Sequence, residues 1–354
     1  MEKEINTKLL RWYKKNKRIL PWRVLSSNNL PIAYYIFVSE YMLQQTTVAT
    51  VKTRFKDFVK KWPTISKLAK TSESRILQFW SGLGYYSRAR NLLKAAKIIE
   101  KDFNSMIPNS YDELIQLPGI GDYTAKAILG IAYNQSVMPL DANIERIFAR
   151  LFALNHPLLK IKKQLQEKSN YFISKKHSSK LIQAFMDYGS MICTPRNPNC
   201  SICIINNFCI SFEKNIQNKI PIKIDKKKFK PKKYTRAYVL INEKDEILVR
   251  KRPDKGMLAS MLEIPNDVWV KKKNLLKKDL LIKKINRKFN QKGSLIYSFS
   301  HFDLDTQIFY LKVLKNNFPQ SKYPVHWFEP SFLKWIQFEN LTVQIPQYHP
   351  HDHP

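Results

Sequence analysis

The four cysteines of this chain lie close together, between positions 193 and 209, in the pattern C-x6-C-x2-C-x5-C. Cysteines that serve as small buried hydrophobes would be scattered, and a disulfide framework is typical of short secreted chains. The crowding therefore indicates thiolates that converge on one metal centre. A structural zinc site usually has a pair of C-x2-C knuckles, whereas this chain has a single x2 spacing. Short, irregular spacings favour an iron-sulfur cluster, with zinc or an uncoordinated group as the alternatives.

Length and charge narrow the class of protein. The chain has 354 residues, of which 44% are hydrophobic, which is enough for two domains with a buried core each. Its 61 Lys and Arg against 28 Asp and Glu give a formal charge of +33. Such self-repulsion is easier to accommodate when the partner is a polyanion, and nucleic acid is the leading candidate. A genome-wide drift toward lysine codons is the alternative explanation for part of the excess.

The N-terminal sequence has charges throughout its apolar positions, so it lacks the uninterrupted hydrophobic region of a signal peptide. The most apolar early stretch, residues 31–43, contains Glu40 and is too short to span a bilayer. We therefore expect a cytoplasmic, nucleoid-associated monomer without a membrane partner. A reducing cytoplasm also suits free thiolates that bind iron.

The pattern of apolar residues divides the chain. Up to about residue 211 they recur at helical spacings, which predicts a nearly all-α half with helical stretches at 36–58, 76–99, 111–131, 144–154 and 181–192. Residues 212–233 are rich in lysine and contain prolines, which predicts an extended basic linker. Short β-branched and aromatic runs, with one helical stretch near 275–289, then predict a small α+β domain at 234–346. Residues 347–354 form a predicted disordered, histidine-rich tail.

The segment LPGIGDYTA, residues 117–125, places Gly119 and Gly121 between two helical patterns, with Pro118 setting the turn. Such glycines let the backbone approach a phosphate closely, and amides at the following helix N-terminus can then bind that phosphate without reading sequence. The alternative is an ordinary corner between packed helices. Glycine is scarce in this chain, so its use here favours a DNA-binding helix-hairpin-helix.

The hairpin and the cysteines beyond it resemble the helix-hairpin-helix DNA glycosylases of the endonuclease III type. The motifs VSEYMLQQT at 38–46, GLGYYSRARNL at 82–92 and LDANIERIFARL at 140–151 are similar to those of the MutY branch, the adenine DNA glycosylases. The resemblance implies a glycosylase domain at 1–211, with a six-helix region at about 27–136 and an iron-sulfur domain from 1–26 and 137–211. It also implies a [4Fe-4S] cluster, with the ligands Cys193, Cys200, Cys203 and Cys209.

Two carboxyl groups are the predicted centre of the chemistry. Glu40 lies among apolar residues of a predicted helix, where burial raises the pKa of a carboxyl group and keeps it available as an acid near neutral pH. Asp141 precedes a predicted helix, and its alternative role is an N-cap. The resemblance implies that Glu40 protonates the adenine ring, Asp141 stabilises an oxocarbenium-like sugar and Asn143 orients the site. Capping and catalysis are compatible, because a carboxylate at a helix start can face a developing cation.

Tyr123 is informative about the reaction type. Endonuclease III-type relatives that also cleave the strand have a lysine at this position, whose amine forms a Schiff base with the sugar. Tyrosine cannot form that bond, and Lys126 lies about one helical turn away. We therefore expect a monofunctional enzyme with water as the final nucleophile.

Further residues match DNA-contacting positions of the family. The resemblance implies that Gln45, Leu83 and Tyr85 enter the base stack and hold the duplex open while adenine is extruded. Helix packing is the alternative, and it has most weight for Leu83. Arg23, in the sequence LPWR, matches a residue that lines the adenine pocket, although a lone arginine is otherwise a surface residue.

Residues 251–265 resemble the start of a Nudix fold, but no REx2EExGU helix with metal-binding glutamates follows, so we do not expect pyrophosphate hydrolysis. MutY-type proteins have such a catalytically silent domain, which recognises 8-oxoguanine opposite the adenine. Phe299, Ser300 and His301 match the family's FSH triplet. By resemblance, the serine and histidine hydrogen-bond the lesion and the phenylalanine packs beside it.

The sequence departs from the family at two points. Ala142 stands where the family usually has glycine, and Leu30 precedes Pro31 where the family has aspartate. Neither change removes a group that the chemistry needs. The predicted activity is excision of adenine opposite 8-oxoguanine or guanine in double-stranded DNA. The alternatives are an endonuclease III-like glycosylase and lyase, and a non-enzymatic iron-sulfur protein that binds DNA.

Overall fold

A computed structural model describes residues 1–222, 230–253, 256, 258, 261–285, 287–299, 301–314 and 325–329. The chain divides into two compact units, Met1–Lys226 and Lys227–Pro354. No helix among the described residues is long and apolar enough to cross a membrane. Ser300, the tail at 347–354 and residues 223–229 of the predicted linker lie outside the described residues.

The first unit is helical, as predicted. Its helices are α1 (Glu2–Asn16), α2 (Ala33–Leu43), α3 (Val48–Lys61), α4 (Ile65–Ala69), α5 (Glu73–Phe79), α6 (Ser87–Asp102), α7 (Tyr111–Gln116), α8 (Asp122–Ala132), α9 (Ala142–Leu151), α10 (Leu158–Asn170), α11 (Ser178–Met191) and α12 (Ile210–Glu213). Short 3-10 turns lie at Pro21–Arg23, Cys200–Ile202 and Asn206–Phe208.

Two predicted helical stretches are interrupted. The stretch at 36–58 breaks between α2 and α3, where Gln45 has a φ of 59°. The stretch at 76–99 breaks between α5 and α6, where Gly82, Gly84 and Tyr85 have φ values of 84°, 66° and 46°. A left-handed backbone ends an α-helix locally. Apolar residues continue through the second break, whereas residues 44–47 at the first break are polar. The apolar periodicity of the flanking residues predicted neither break.

Helices α2 and α11 lie in the interior of the first unit. Helix α2 is apolar on all sides except for Ser39 and Glu40, and it packs against α3, α6 and α8. A helix of this composition is stable only when it is surrounded by other elements. Helix α11 packs against α1, α8 and α9. The carboxyl group of Glu40 is therefore held inside the unit rather than on its surface.

Residues 212–222 differ from the predicted linker. The side chain of Ile220 is 1% exposed, and its carbonyl accepts a hydrogen bond from Arg150 Nε at 2.8 Å. Ile222 forms a parallel bridge with Pro157. One buried isoleucine thus attaches this basic segment to the first unit, which the lysine-rich composition did not indicate.

The second unit is an α+β structure built on one mixed sheet. Its elements are β1 (Lys232–Ile241), β2 (Ile247–Lys251), β3 (Leu262–Glu263), a 3-10 turn (Lys273–Leu275), α13 (Leu280–Lys283), β4 (Asn290–Ser298), β5 (Asp303–Lys312) and β6 (Val325–Phe328). The strand order is β3-β2-β1-β5-β4, with β6 also paired to β2. Strands β1 and β5 are parallel, and the other pairs are antiparallel.

Alternation along the strands gives the sheet two apolar faces. Tyr238, Leu240 and Leu248 pack on one face, together with Leu281 and Ile282 of α13. The prediction of one helix over 275–289 is wrong in extent, because α13 covers only Leu280–Lys283. Asp279 caps its first turn and is bound by Arg250 Nη1 at 2.7 Å, which fixes where the helix starts.

Candidate active site and cluster site

A cavity of about 590 Å³ lies in the first unit between α2, α8, the start of α9 and α11. This volume falls within the range of about 300–1,000 Å³ typical of small-molecule sites. Its walls contain all the predicted catalytic residues and the predicted base-contacting arginine, namely Arg23, Glu40, Tyr123, Asp141 and Asn143. Residues that the sequence did not single out also line it, among them Arg18, Gln183 and Met186.

Glu40 has the environment of a weak acid. Its side chain is 6% exposed, and burial raises its pKa to about 7. A hydrogen bond from Tyr123 opposes this rise, and the negative charge of Asp141 adds to it. Near neutral pH a substantial fraction of Glu40 therefore carries a proton that it can donate.

Asp141 is both the N-cap of α9 and part of the cavity wall. Its Oδ1 accepts hydrogen bonds from the backbone N–H groups of Asn143 and Ile144 at 3.0 and 2.7 Å. Its Oδ2 accepts from Asn143 Nδ2 at 2.8 Å. Burial raises the pKa of Asp141, while these hydrogen bonds and the charge of Arg146 oppose the rise. Ala142, the departure from the family's glycine, begins α9 without a positive φ, so its methyl group is accommodated.

Arg146 holds Asn143 in place, although it was not among the predicted site residues. Its Nη2 donates to Asn143 Oδ1 at 2.8 Å and to the Gly189 carbonyl at 2.6 Å. Its Nε donates to the Cys193 carbonyl at 2.7 Å. Helices α9 and α11 can approach this closely because a Cβ on Gly189 would lie 2.7 Å from Asn143 Cβ. A signal existed in the sequence, since Arg146 lies three residues after Asn143 and therefore on the same face of α9.

Lys126, the candidate nucleophile of the alternative lyase reaction, forms an ion pair with Asp122 and is not among the residues that line the cavity. Its Nζ lies 2.8 Å from Asp122 Oδ1, one turn earlier on α8. Among the described residues that line the cavity, none is a lysine.

The predicted base-stack residues lie on two loops outside the cavity. Gln45 is exposed, and Tyr85 is 43% exposed, both with a positive φ. Leu83 is only 5% exposed, so in this conformation its side chain is packed inside the protein.

Arg88, which was not among the predicted site residues, joins these loops. Its guanidinium donates to carbonyls at the end of α2 and in the GLGYY turn, including those of Met42 at 2.7 Å, Leu83 at 2.8 Å and Gly84 at 3.0 Å.

The two glycines of the hairpin have different roles. Gly119 has a φ of 83°, and a Cβ there would lie 2.9 Å from Asn91 Cβ and 3.0 Å from Tyr41 Cε1. Packing therefore accounts for Gly119. Gly121 caps α8, and a Cβ there would meet no atom within 4 Å. Packing therefore does not account for the glycine at position 121.

The four cysteines line one small cavity in the first unit, together with Arg150, Tyr188 and Gln217. No group of three or more His, Cys, Asp or Glu side chains in the described ranges is arranged to hold a metal ion. Four cysteine side chains that share one cavity are the donor set that an iron-sulfur cluster takes. Ser211, two residues after Cys209, has a buried hydroxyl without a hydrogen-bond partner among the described residues.

Phe299 and His301 lie at the turn between β4 and β5 of the second unit. Phe299 N donates to the Phe302 carbonyl at 2.9 Å, which closes the turn. The ring of Phe299 lies 4.5 Å from Tyr297, 4.9 Å from Phe302 and 5.6 Å from Trp269, measured between centroids. His301 is exposed. The turn therefore carries an exposed imidazole between two members of an aromatic cluster, Phe299 and Phe302.

Comparison with known proteins agrees with this geometry. Residues 38–172 match the HhH-GPD superfamily of base excision DNA repair proteins, residues 193–209 the iron-sulfur binding domain of endonuclease III, and residues 236–346 the NUDIX domain. A solved thermostable thymine-DNA glycosylase superposes with a TM-score of 0.54 and 26% identity, covering 60% of this chain and 97% of that one. The fold and the site thus define a helix-hairpin-helix DNA glycosylase with a [4Fe-4S] cluster.

The curated relatives define the family further. The adenine DNA glycosylase of Buchnera aphidicola subsp. Baizongia pistaciae is 38% identical over 287 residues, 78% of each chain. That of Buchnera aphidicola subsp. Schizaphis graminum is 33% identical over 332 residues, 91% of each chain. This chain belongs to the adenine DNA glycosylase family.

Proposed function

We propose that this enzyme hydrolyses the N-glycosidic bond of adenine mispaired with 8-oxoguanine or guanine in double-stranded DNA. The observation that carries the proposal is the joint placement of Glu40 and Asp141 in one cavity, with the pKa of Glu40 raised to about 7. One carboxyl group is thereby available as an acid, and the other is held in place by backbone amides. We also propose that the enzyme acts as a cytoplasmic, nucleoid-associated monomer.

The proposed reaction assigns the two carboxyl groups opposite tasks. Glu40 donates its proton to a ring nitrogen of the extruded adenine, which makes the base a better leaving group. As the glycosidic bond breaks, positive charge develops on the sugar, and the Asp141 carboxylate stabilises it. Asn143 orients Asp141 through the hydrogen bond between its Nδ2 and Asp141 Oδ2. Water then adds to the sugar, and its proton passes to the Glu40 carboxylate left by the first step.

The same residues support a monofunctional reaction. The cavity has a tyrosine, Tyr123, where a Schiff base would need an amine. Lys126 is paired with Asp122 on α8. We therefore propose that the strand remains intact after the base is released.

Gln45, Leu83 and Tyr85 are the proposed duplex-opening residues, and the first amides of α8 at Gly121 are the proposed phosphate site. Tyr85 and Gln45 are exposed on loops that Arg88 joins. For Leu83, insertion requires that it leaves its buried position on binding DNA. The second unit supplies the proposed recognition of 8-oxoguanine, with Phe299, Ser300 and His301 as the contacting residues.

The [4Fe-4S] cluster has a structural role in this proposal. Its ligands would be Cys193, Cys200, Cys203 and Cys209, which line one cavity. When bound, the cluster supplies a cross-link between distant parts of the segment from 193 to 209. The carbonyl of Cys193 is held by Arg146, so the segment is attached to the helix that begins at Asp141.

The test is product analysis on duplexes that contain adenine opposite 8-oxoguanine, guanine or thymine. We expect free adenine from the first two duplexes and intact strands until alkali is added. Borohydride should trap no covalent complex, and Lys126→Ala should behave as the wild type. Strand cleavage without alkali, or a borohydride adduct that Lys126→Ala abolishes, would support the lyase alternative instead.

A further inference from the structure

Asp187 on α11 is a carboxylate buried between two arginines of the active-site cavity. Its side chain has 0% exposure. It accepts hydrogen bonds from Arg23 Nη1 at 2.7 Å and Nη2 at 2.9 Å, and from Arg18 N at 2.9 Å and Nε at 2.6 Å. Burial alone would raise the pKa of Asp187, but the hydrogen bonds and charges of Arg23 and Arg18 hold it below its usual value. Asp187 is therefore ionised at neutral pH.

The bidentate pair fixes the position of the Arg23 guanidinium. Both of its terminal nitrogens bind Asp187, and Nη1 also donates to the Arg18 carbonyl at 3.3 Å. Among the described residues, the Nε–H and the second Nη2–H of Arg23 have no hydrogen-bond partner. Arg23 lines the cavity that contains Glu40, so these donors are available to a bound base.

We propose that Asp187 is a positioning residue for base excision, which holds Arg23 in the cavity wall as a hydrogen-bond donor and keeps its guanidinium from pairing with Glu40. The inference rests on the proposed function, because it concerns the same cavity. Arginine forms strong bidentate bonds with carboxylates, and Glu40 lines the same cavity as Arg23. A proton donor paired with a guanidinium would lose its proton and its role.

The charges around Glu40 determine how the loss of the Asp187 carboxylate should change the pKa of Glu40. The titratable groups that line the cavity together with Glu40 are Tyr123 from α8, Asp141 at the start of α9, and Arg18 and Arg23 before α2. The carboxylate of Asp187 offsets part of the positive charge of the two arginines. If that carboxylate is removed, the uncompensated charge favours ionised Glu40 and lowers its pKa. Activity that depends on protonated Glu40 then falls at a lower pH than in the wild type.

The experiment measures single-turnover adenine release against pH, from a duplex with adenine opposite 8-oxoguanine. The proteins are the wild type, Asp187→Asn, Asp187→Glu, Arg23→Gln and the double variant Arg23→Gln/Asp187→Asn. We expect the midpoint of the pH profile to move to lower pH in Asp187→Asn. If it falls by about one pH unit, the rate above the midpoint should be about tenfold lower than in the wild type. Asp187→Glu should restore part of the wild-type profile.

The double variant separates positioning from folding. Removing a buried charge can destabilise a protein by leaving its partner unpaired, whereas the double variant removes Arg23 and Asp187 together. If Asp187 acts through Arg23, the double variant should match Arg23→Gln in rate at a pH below the midpoints of both. An additive loss of rate, or an Asp187→Asn profile with the wild-type midpoint, would overturn the inference. If the wild type releases adenine and Asp187→Asn behaves identically, only this inference fails. If the wild type releases none, the proposed function fails, and this inference with it.

Discussion

The hydroxyl group of Tyr123 donates a hydrogen bond to the carboxyl group of Glu40 inside the active-site cavity. This contact stabilises the ionised form of Glu40 and so opposes the effect of burial on its pKa. Tyrosine thus does more than replace the lysine of strand-cleaving relatives. It limits how strongly the proton donor holds its proton.

Tyr123→Phe should extend activity to higher pH. Without the hydrogen bond, the pKa of Glu40 rises above its value of about 7, so the protonated acid persists as the pH increases. The measurement is the pH dependence of single-turnover adenine release. Tyr34→Phe is a matched control, since Tyr34 donates to the Trp62 carbonyl at 2.6 Å outside the cavity. An unchanged or lower midpoint in Tyr123→Phe would contradict this account of the pair.

Asn143→Ala should slow excision without weakening DNA binding. The change removes the hydrogen bond of 2.8 Å to Asp141 Oδ2 and leaves Arg146 without the partner that connects it to the site. A hydrogen bond to a charged group contributes about 1.5–3 kcal/mol, which corresponds to roughly ten- to hundredfold in rate. Single-turnover rates and a binding titration on the same duplex separate the two effects. If Asn143→Ala bound the duplex more weakly but kept the wild-type excision rate, this role of Asn143 would be contradicted.

Arg88→Met should destabilise the protein and weaken binding to duplex DNA. Its guanidinium is the shared donor for carbonyls at the end of α2 and in the GLGYY turn, and methionine leaves those buried groups unsatisfied. We expect a loss of roughly 2–4 kcal/mol in the free energy of unfolding. Arg75→Met on α5 is the control, because Arg75 is exposed. Urea unfolding and DNA titration would decide, and equal stability of the two variants would refute the role of Arg88.

Removal of iron, or Cys203→Ser, should lower the melting temperature of the protein. In its proposed structural role the bound cluster would cross-link the segment from 193 to 209, and Arg146 and Arg150 of α9 bind the Cys193 carbonyl and sulfur at 2.7 and 3.3 Å. Circular dichroism before and after chelation measures the effect, and iron absorbance reports its completeness. An unchanged melting temperature after complete removal would show that packing alone holds the segment.

His301→Ala should reduce the preference for adenine opposite 8-oxoguanine over adenine opposite guanine. The exposed imidazole lies at the β4–β5 turn beside the aromatic cluster of Phe299, where it can hydrogen-bond a lesion. The ratio of kcat/KM on the two duplexes is the measurement. His326→Ala on β6 is the matched control, since His326 is also exposed. A ratio that stays at the wild-type value in His301→Ala would exclude this contact.

Short-range patterns predicted a large part of this molecule. The helical first half, the strands of the second unit and the shared cavity of the four cysteines follow from local spacing, and the burial of Glu40 follows from the apolar helix around it. The break at Gln45 and the short α13 did not follow, because local backbone geometry and the Asp279 cap decide them. Sequence spacing also did not predict the buried Ile220.

The missed residues of the site share one physical property. Arg88, Arg146 and Asp187 each bind at least one group that is distant in sequence, and those long-range bonds exist only once helices have packed. Asp187, for example, meets Arg23 across 164 positions. A charged residue on an apolar helix is a signal that it has a buried partner, but the partner becomes known only from the fold.

In the proposed reaction, protonated Glu40 drives the release of adenine. The most direct test is single-turnover adenine release against pH, from a duplex with adenine opposite 8-oxoguanine, in the wild type, Glu40→Gln and the exposed control Glu167→Gln on α10. We predict that the wild-type and control rates fall as the pH rises through about 7. We also predict a rate about 10²–10⁴-fold lower in Glu40→Gln, with DNA binding retained. Equal rates in the wild type and Glu40→Gln, or a wild-type rate that rises through this pH range, would contradict the proposed role of Glu40.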